Sequence, residues 1–158
     1  MSTLLPLNPG DPAPDFTLPR DGGGEVSLQA LRPKSVVLFF YPKDDTQTCT
    51  IEAIDFTSQL PAFAATGAVV IGISKDGVKS HDNFLKKHAL AVILGSDEAS
   101  DTCERYGVWV EKSKYGKTSM GIVRATFLID GSGKIARIWP KVAIDGHVAE
   151  VLAAAEAL

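Results

Sequence analysis

The chain has 158 residues, 22% of them charged and 45% hydrophobic, and a net charge of −3. That length predicts one domain spanning residues 1–158, burying roughly 70% of its unfolded surface without a disulfide or metal staple. The mild acidity, with no basic tract, argues against nucleic acid as a partner. No apolar run approaches the roughly 20 residues of a membrane span, and Met1–Pro6 lacks the basic region and apolar core of a secretory signal. Two cysteines cannot build a disulfide framework, which points to a reducing cytoplasm, and three histidines without ligand spacing argue against a zinc site.

In chain order, Asn8 to Pro14 is an extended, proline-stiffened lead-in. Residues 16–18 and 26–28 flank Arg20-Asp21-Gly22-Gly23-Gly24, which predicts a β-hairpin. The triple glycine is not a phosphate loop, because neither a helix start nor a GK[ST] follows it. Val36-Val37-Leu38-Phe39-Phe40 reads as a strand buried on both faces, within 35–41. A helix over 48–65 follows, with Ile51, Ile54, Phe56 and Leu60 as its apolar side. Gly67 to Ser74 is a second buried strand. Residues 77–88 carry Val78, His81, Phe84, Leu85 and His88 on one side of a helix, where the histidines read as packing or surface groups. A short strand over 90–95 leads to a helix over 97–106, capped by Ser96 or Asp97, with Ala99, Cys103 and Tyr106 on one face. Residues 107–122 receive no element, and their aromatic Trp109 and Tyr115 read, like Trp139, as core or rim groups. A strand over 123–129, a turn at 131–133, a return strand over 134–139 and an alanine-rich helix over 145–157 close the chain.

Cys49 sits where a buried strand has ended and a helix begins. The unpaired N–H groups and positive dipole end of a helix stabilise an anion there, and the thiolate is the form that attacks electrophiles. A lone cysteine is more often a buried, inert hydrophobe. Three features weigh against that here: the polar flanks Asp44, Asp45, Thr46, Gln47, Thr48 and Thr50, which put the residue at a turn; Thr46 three residues ahead; and Pro42, which stiffens the approach.

The spacing Pro42-x-x-x-Thr46-x-x-Cys49 resembles the P-x-x-x-T-x-x-C signature of the peroxiredoxins. The resemblance extends over nearly the whole chain. Phe39 to Thr46, Lys79-Ser80-His81-Asp82-Asn83-Phe84, Tyr106-Gly107-Val108-Trp109, Glu111-Lys112, Tyr115-Gly116-Lys117 and Gly121 to Asp130 are similar to the bacterioferritin-comigratory-protein (PrxQ) subfamily. The alternation of strands and helices argues an α/β sandwich with a central mixed sheet and helices on both faces. Its element order is that of a thioredoxin-like fold with an N-terminal β-hairpin, and Cys49 falls at the carboxyl end of a strand, where such sheets bind ligands.

The resemblance implies a peroxidase in which Cys49 attacks a peroxide oxygen and becomes a sulfenic acid. It assigns Arg124 as the cation beside the thiolate, Thr46 as the hydroxyl that aligns the peroxide, and Pro42 as the shield against bulk water. It implies no cofactor and no metal. The expected partners are a peroxide, and a thioredoxin or other thiol as reductant, with the protein a monomer or at most a weak homodimer.

The chain also departs from the pattern. Gln47-Thr48 replaces the Pro-Gly found before the reactive cysteine in many relatives. Ile54 and Leu85 stand where relatives carry a resolving cysteine, each fitting the apolar stripe of its helix. With Cys103 read as buried and unreactive, a one-cysteine cycle closed by an outside thiol is expected. The alternatives are a Cys49–Cys103 pair, a thiol–disulfide oxidoreductase, weakened because Thr46 leaves no C-x-x-C, and a redox sensor or holdase that does not turn over.

Overall fold

The apolar run ahead of Cys49 becomes the middle strand of the molecule. In the computed structural model, which describes residues 7–158, this strand is β3 (Ser35–Phe40) of a five-stranded sheet. Its neighbours are β4 (Ala68–Ser74), parallel to it, and β8 (Ala125–Ile129), antiparallel. Outside them lie β5 (Ile93–Ser96), parallel to β4, and β9 (Ile135–Trp139), antiparallel to β8, giving the order β5-β4-β3-β8-β9. Strands β1 (Thr17–Pro19) and β2 (Glu25–Ser27) form the expected N-terminal hairpin. The sequence reading of residues 1–6 lies outside the described residues. Among the described residues no helix is long and apolar enough to cross a membrane.

Because side chains alternate across a strand, β3 feeds two separate cores. Val36, Leu38 and Phe40 point to one, with Leu18 and Val26 of the hairpin, Cys103 and Tyr106. Val37, Phe39 and Tyr41 belong to the other, with Cys49, Ala53, Phe56, Phe63, Phe84, Val148 and Val151. The helices divide unevenly. Helices α1 (Gln47–Ser58), α2 (Leu60–Ala65), α3 (Val78–His88) and α5 (His147–Glu156) pack on the second face, while the single turn of α4 (Thr102–Arg105) lies on the first.

Four expectations about these elements are corrected. The helix over 48–65 is two helices, because Pro61 has no N–H to continue the first and sits comfortably in the first turn of a new one. The apolar side of α1 is not Ile51 and Ile54, both of which are 44% exposed; the buried residues are Cys49, Glu52, Ala53 and Phe56, an i, i+3, i+4, i+7 stripe. The helix over 97–106 shrinks to α4, and Ala99 is exposed outside it. The N-cap position is Asp101, not Ser96 or Asp97, although the Asp97 side chain, from outside the helix, accepts the backbone N–H groups of Thr102 (3.1 Å) and Cys103 (2.7 Å).

Finally, residues 109–122 form an antiparallel ribbon, β6 (Trp109–Lys114) and β7 (Lys117–Ile122). Its two-residue turn, Tyr115-Gly116, has positive φ at both positions (54° and 74°), the backbone that suits a right-twisted hairpin. Tyr115 at the tip is 93% exposed, neither core nor rim.

Candidate active site

Thr46 is the N-cap of α1, with extended backbone, and Cys49 is the third helical residue, inside the first turn rather than in the loop ahead of it. The N–H groups of that turn have no carbonyl one turn back, so their partial positive charge collects around the sulfur. Cys49 is 1% exposed, sealed by the core that it shares with Ala53 and Phe56. Phe39 stacks on Phe56 (ring centroids 4.6 Å apart) and on Tyr41 (5.7 Å), which fixes α1 to β3.

The register of the sheet brings the cation in. Phe40 at the end of β3 pairs with Ala125 at the start of β8, so Arg124 stands just beyond the end of β3. Its guanidinium donates from Nη2 to Cys49 Sγ at 3.2 Å and from Nη1 to Glu52 Oε1 at 2.7 Å. The Arg124 side chain is 14% exposed and that of Glu52 is 0% exposed. Glu52 follows Cys49 by three residues and so shares its helix face. Burial pushes the Glu52 carboxyl up to about 7, against the pull of Arg124. Its second oxygen, Oε2, is buried without a hydrogen-bond partner among the described residues.

Of the four residues singled out from the sequence, Cys49 and Arg124 are thus in contact. The Thr46 hydroxyl instead donates to the Lys43 carbonyl at 2.9 Å, and the Thr46 carbonyl accepts the Thr50 hydroxyl at 2.7 Å. Pro42 is exposed; the buried side of the loop is made by Tyr41 and Asp44. Glu52 was missed by the sequence reading. Its signal was the spacing of three from Cys49, outweighed there by the apolar appeal of Ile51 and Ile54.

A second group missed by the reading fastens the loop to α3. The Asp44 carboxylate accepts the Tyr41 hydroxyl (2.6 Å) and the Ser80 hydroxyl (2.8 Å), and lies 2.7 Å from His81 Nδ1. The other ring nitrogen of His81 is 3.0 Å from the Gly95 carbonyl. The Gly95 carbonyl and an ionised Asp44 both accept, an arrangement that favours a proton on each ring nitrogen of His81. Burial works against that charge, but Asp44 and Gly95 raise its pKa above the ordinary histidine value. The backbone N–H of Asp44 donates to Asp76 (2.8 Å), and burial and Asp44 push the Tyr41 hydroxyl well up. Next along, Asp45 adopts φ 60° and binds Lys87 and His88, each at 2.7 Å.

Cys103 is 0% exposed, and burial, then Asp97, push its thiol up and away from ionisation. It belongs to the core on the far side of the sheet from Cys49.

The chain has known relatives. Residues 9–138 match the model of the AhpC/TSA family. The chain is 50% identical over 148 residues to a Coxiella burnetii protein named as a bcp peroxiredoxin, covering 94% of this chain and 98% of that one. Among solved structures it is similar to a PrxQ variant from Xylella fastidiosa (35% identity, 96% of each chain, TM-score 0.90). It is also similar to the bacterioferritin comigratory protein of Xanthomonas campestris, solved as a trapped intermediate/ligand complex in work on that protein's alkyl peroxide reduction activity (42% identity, 90% of each chain, TM-score 0.85). The chain therefore belongs to the AhpC/TSA family and, within it, to the peroxiredoxins of the bacterioferritin-comigratory-protein (PrxQ) type, which are thiol-dependent peroxidases.

Proposed function

We propose that Cys49 is the peroxide-reducing nucleophile, acting on hydrogen peroxide and alkyl hydroperoxides in a one-cysteine cycle. The observation that carries this reading is the 3.2 Å hydrogen bond from Arg124 to Cys49 Sγ, made inside the first turn of α1. The guanidinium and the helix terminus bring positive charge against the sulfur, and they also face the site where negative charge develops on the departing oxygen.

The thiolate sulfur attacks the O–H oxygen of the peroxide, and the O–O bond breaks. The sulfur is oxidised by two electrons to the sulfenic acid, and the other oxygen leaves as alkoxide or hydroxide and takes up a proton. Thr46 fits the role of orienting residue. Its hydroxyl proton is committed to the Lys43 carbonyl, so the oxygen is left to accept the O–H of the peroxide. Pro42 fits as part of the rigid rim of the loop. An outside thiol then attacks the sulfenic sulfur, releasing water, and a second thiol displaces the mixed disulfide to regenerate Cys49. Thioredoxin or a small dithiol supplies both thiols, as suits a reducing cytoplasm. Cys49, Arg124 and Glu52 make their contacts within one chain, so the chemistry proposed here calls on no residue of a second copy.

The two-cysteine alternative needs Cys103, whose sulfur sits in the opposite core. The test is peroxide consumption by native protein and Cys49→Ser with thioredoxin or dithiothreitol as donor. Sustained turnover by the native protein and none by the variant is the expected result. Turnover retained in Cys49→Ser would refute the assignment.

A further inference from the structure

The Arg124 guanidinium is one cation between two acids. Nη1 holds Glu52 Oε1 at 2.7 Å and Nη2 holds Cys49 Sγ at 3.2 Å. All three groups are sealed from water or nearly so: Cys49 is 1% exposed, Glu52 0%, and the Arg124 side chain 14%. An uncompensated charge in such a place is strongly disfavoured, so one buried cation accommodates one anion well and two poorly. Glu52 carries the mark of this restriction. One of its oxygens is bonded to Arg124, and Oε2 is buried with no hydrogen-bond partner among the described residues. With one hydrogen bond in place of several to its ionised form, the buried carboxyl is held less firmly as an ion, and its protonated form comes within reach.

We propose that Cys49 and Glu52 share a single negative charge across Arg124. Glu52 holds a proton while Cys49 is the thiolate, and gives it up when Cys49 becomes a neutral sulfenic acid. The inference rests on the reading of Cys49 as the nucleophile and adds a charge partner to it. Glu52 acts through Arg124 and is a positioning residue, not one that touches the peroxide.

The step balances. The thiolate attacks the O–H oxygen, so the OH unit passes to sulfur and the O–O bond breaks toward the leaving alkoxide. The alkoxide takes up one proton and departs as alcohol. The negative charge lost from sulfur reappears on Glu52, which releases one proton. Proton uptake and release cancel, and the Cys49–Arg124–Glu52 group is neutral overall before and after. Arg124 thus keeps an anionic partner at every stage and stays in place for the next peroxide.

The surroundings support the exchange. Asp55, on α1, adds negative charge near Glu52 and favours its protonated form. His147 of α5 lies edge-on to Phe56 and is bonded to Thr126 Oγ1 at 2.8 Å. Burial first, and the charges of Arg124 and Arg137, hold it toward the neutral form despite Glu150, so it brings no second cation. Helix α2 carries no charged residue. Burial places the Glu52 titration at about 7, within reach of such an exchange.

The experiment uses the full native chain, reduced and then given one equivalent of hydrogen peroxide without reductant. Sulfenic acid at Cys49 is quantified with a trapping reagent. An infrared difference spectrum recorded across the same step should lose one protonated-carboxyl stretch and gain one carboxylate stretch, and Glu52→Gln should lack both changes. In weak buffer below neutrality, an indicator dye should report no net proton uptake by the native protein, and uptake of one proton per sulfenic acid by Glu52→Gln. A native spectrum without the carboxyl change, or native uptake of one proton per sulfenic acid, overturns the proposal while leaving Cys49 as the nucleophile. Absence of any sulfenic acid at Cys49 overturns the underlying reading and this inference together. The infrared measurement on the native chain decides the matter even if the glutamine variant does not fold.

Discussion

His81 and Asp44 form a fully buried ion pair, 2.7 Å between Nδ1 and Oδ2, that bolts the loop ahead of Cys49 to helix α3. The pair spans 37 residues of sequence, and two hydroxyls, from Tyr41 and Ser80, complete the coordination of the carboxylate. Removing one partner strands the other's charge in the core. Asp44→Ala should therefore destabilise the protein by about 3–5 kcal/mol, with Asp44→Asn milder, as read by denaturant unfolding.

The same pair has a pH signature. His81 titrates higher in the folded chain than in the unfolded one, so its stabilisation is fully present below the unfolded value of about 6.5 and is lost as pH rises through the folded value. His81→Gln should flatten that part of the stability profile. An unchanged alkaline slope would mean that the imidazolium is not the folded form.

Glu52 adds a second dependence of the same sign, in a lower window. Its carboxyl is raised from 4.5 to about 7, so the folded chain holds the proton more tightly and loses stability as pH climbs between those values. At about 1.4 kcal/mol per pKa unit the loss is on the order of 3 kcal/mol. Glu52→Gln should remove this slope, measured by urea unfolding at a series of pH values.

Arg124 spans two partners with two nitrogens, a task that the single point charge of lysine cannot copy. Arg124→Ala and Arg124→Lys should both lower the rate constant for peroxide by about 100- to 1,000-fold. Stopped-flow single-turnover kinetics would measure this, and a lysine variant at native speed would show that charge alone suffices.

Cys103→Ser should keep most of the turnover, because no disulfide can cross the sheet without large backbone movement. After one equivalent of peroxide, intact-mass analysis should find Cys49 as sulfenic acid. A species two hydrogens lighter, with Cys49 and Cys103 cross-linked, would make Cys103 the resolving thiol.

Gly72 of β4 links the core to the site. A Cβ built there would stand 2.5 Å from the Phe39 ring, which itself stacks on Phe56 of α1. Gly72→Ala should destabilise by about 1–3 kcal/mol through overpacking and disturb the seat of α1. A drop in both thermal stability and peroxide rate is the expected outcome.

The buried strands were the most legible part of the fold, since β3, β4 and β8 are covered on both faces and read as unbroken apolar runs. The ribbon β6–β7 is the opposite case. Most of its residues face water, so no alternation of apolar and polar residues announces it. The face of α1 was misjudged because a charged residue, Glu52, occupies the core in place of an isoleucine, and what admits it is Arg124, 72 residues away in sequence. Local patterning carries no information about such a partner. The Cys49 position followed from strand, loop and helix, whereas its pairing with Arg124 was suggested only by family resemblance. The clasp of Asp44 on His81 had no sequence signal at all.

The central sheet has a practical consequence for anyone handling the protein. It divides the chain's two thiols into separate compartments, and the one on the far side is fully buried and held firmly in its protonated form. The native protein is therefore a single-address reagent. An electrophilic tag should mark Cys49 alone, and the tagged fraction then serves as a direct gauge of how much of a sample is reduced, with no need to engineer the second cysteine away.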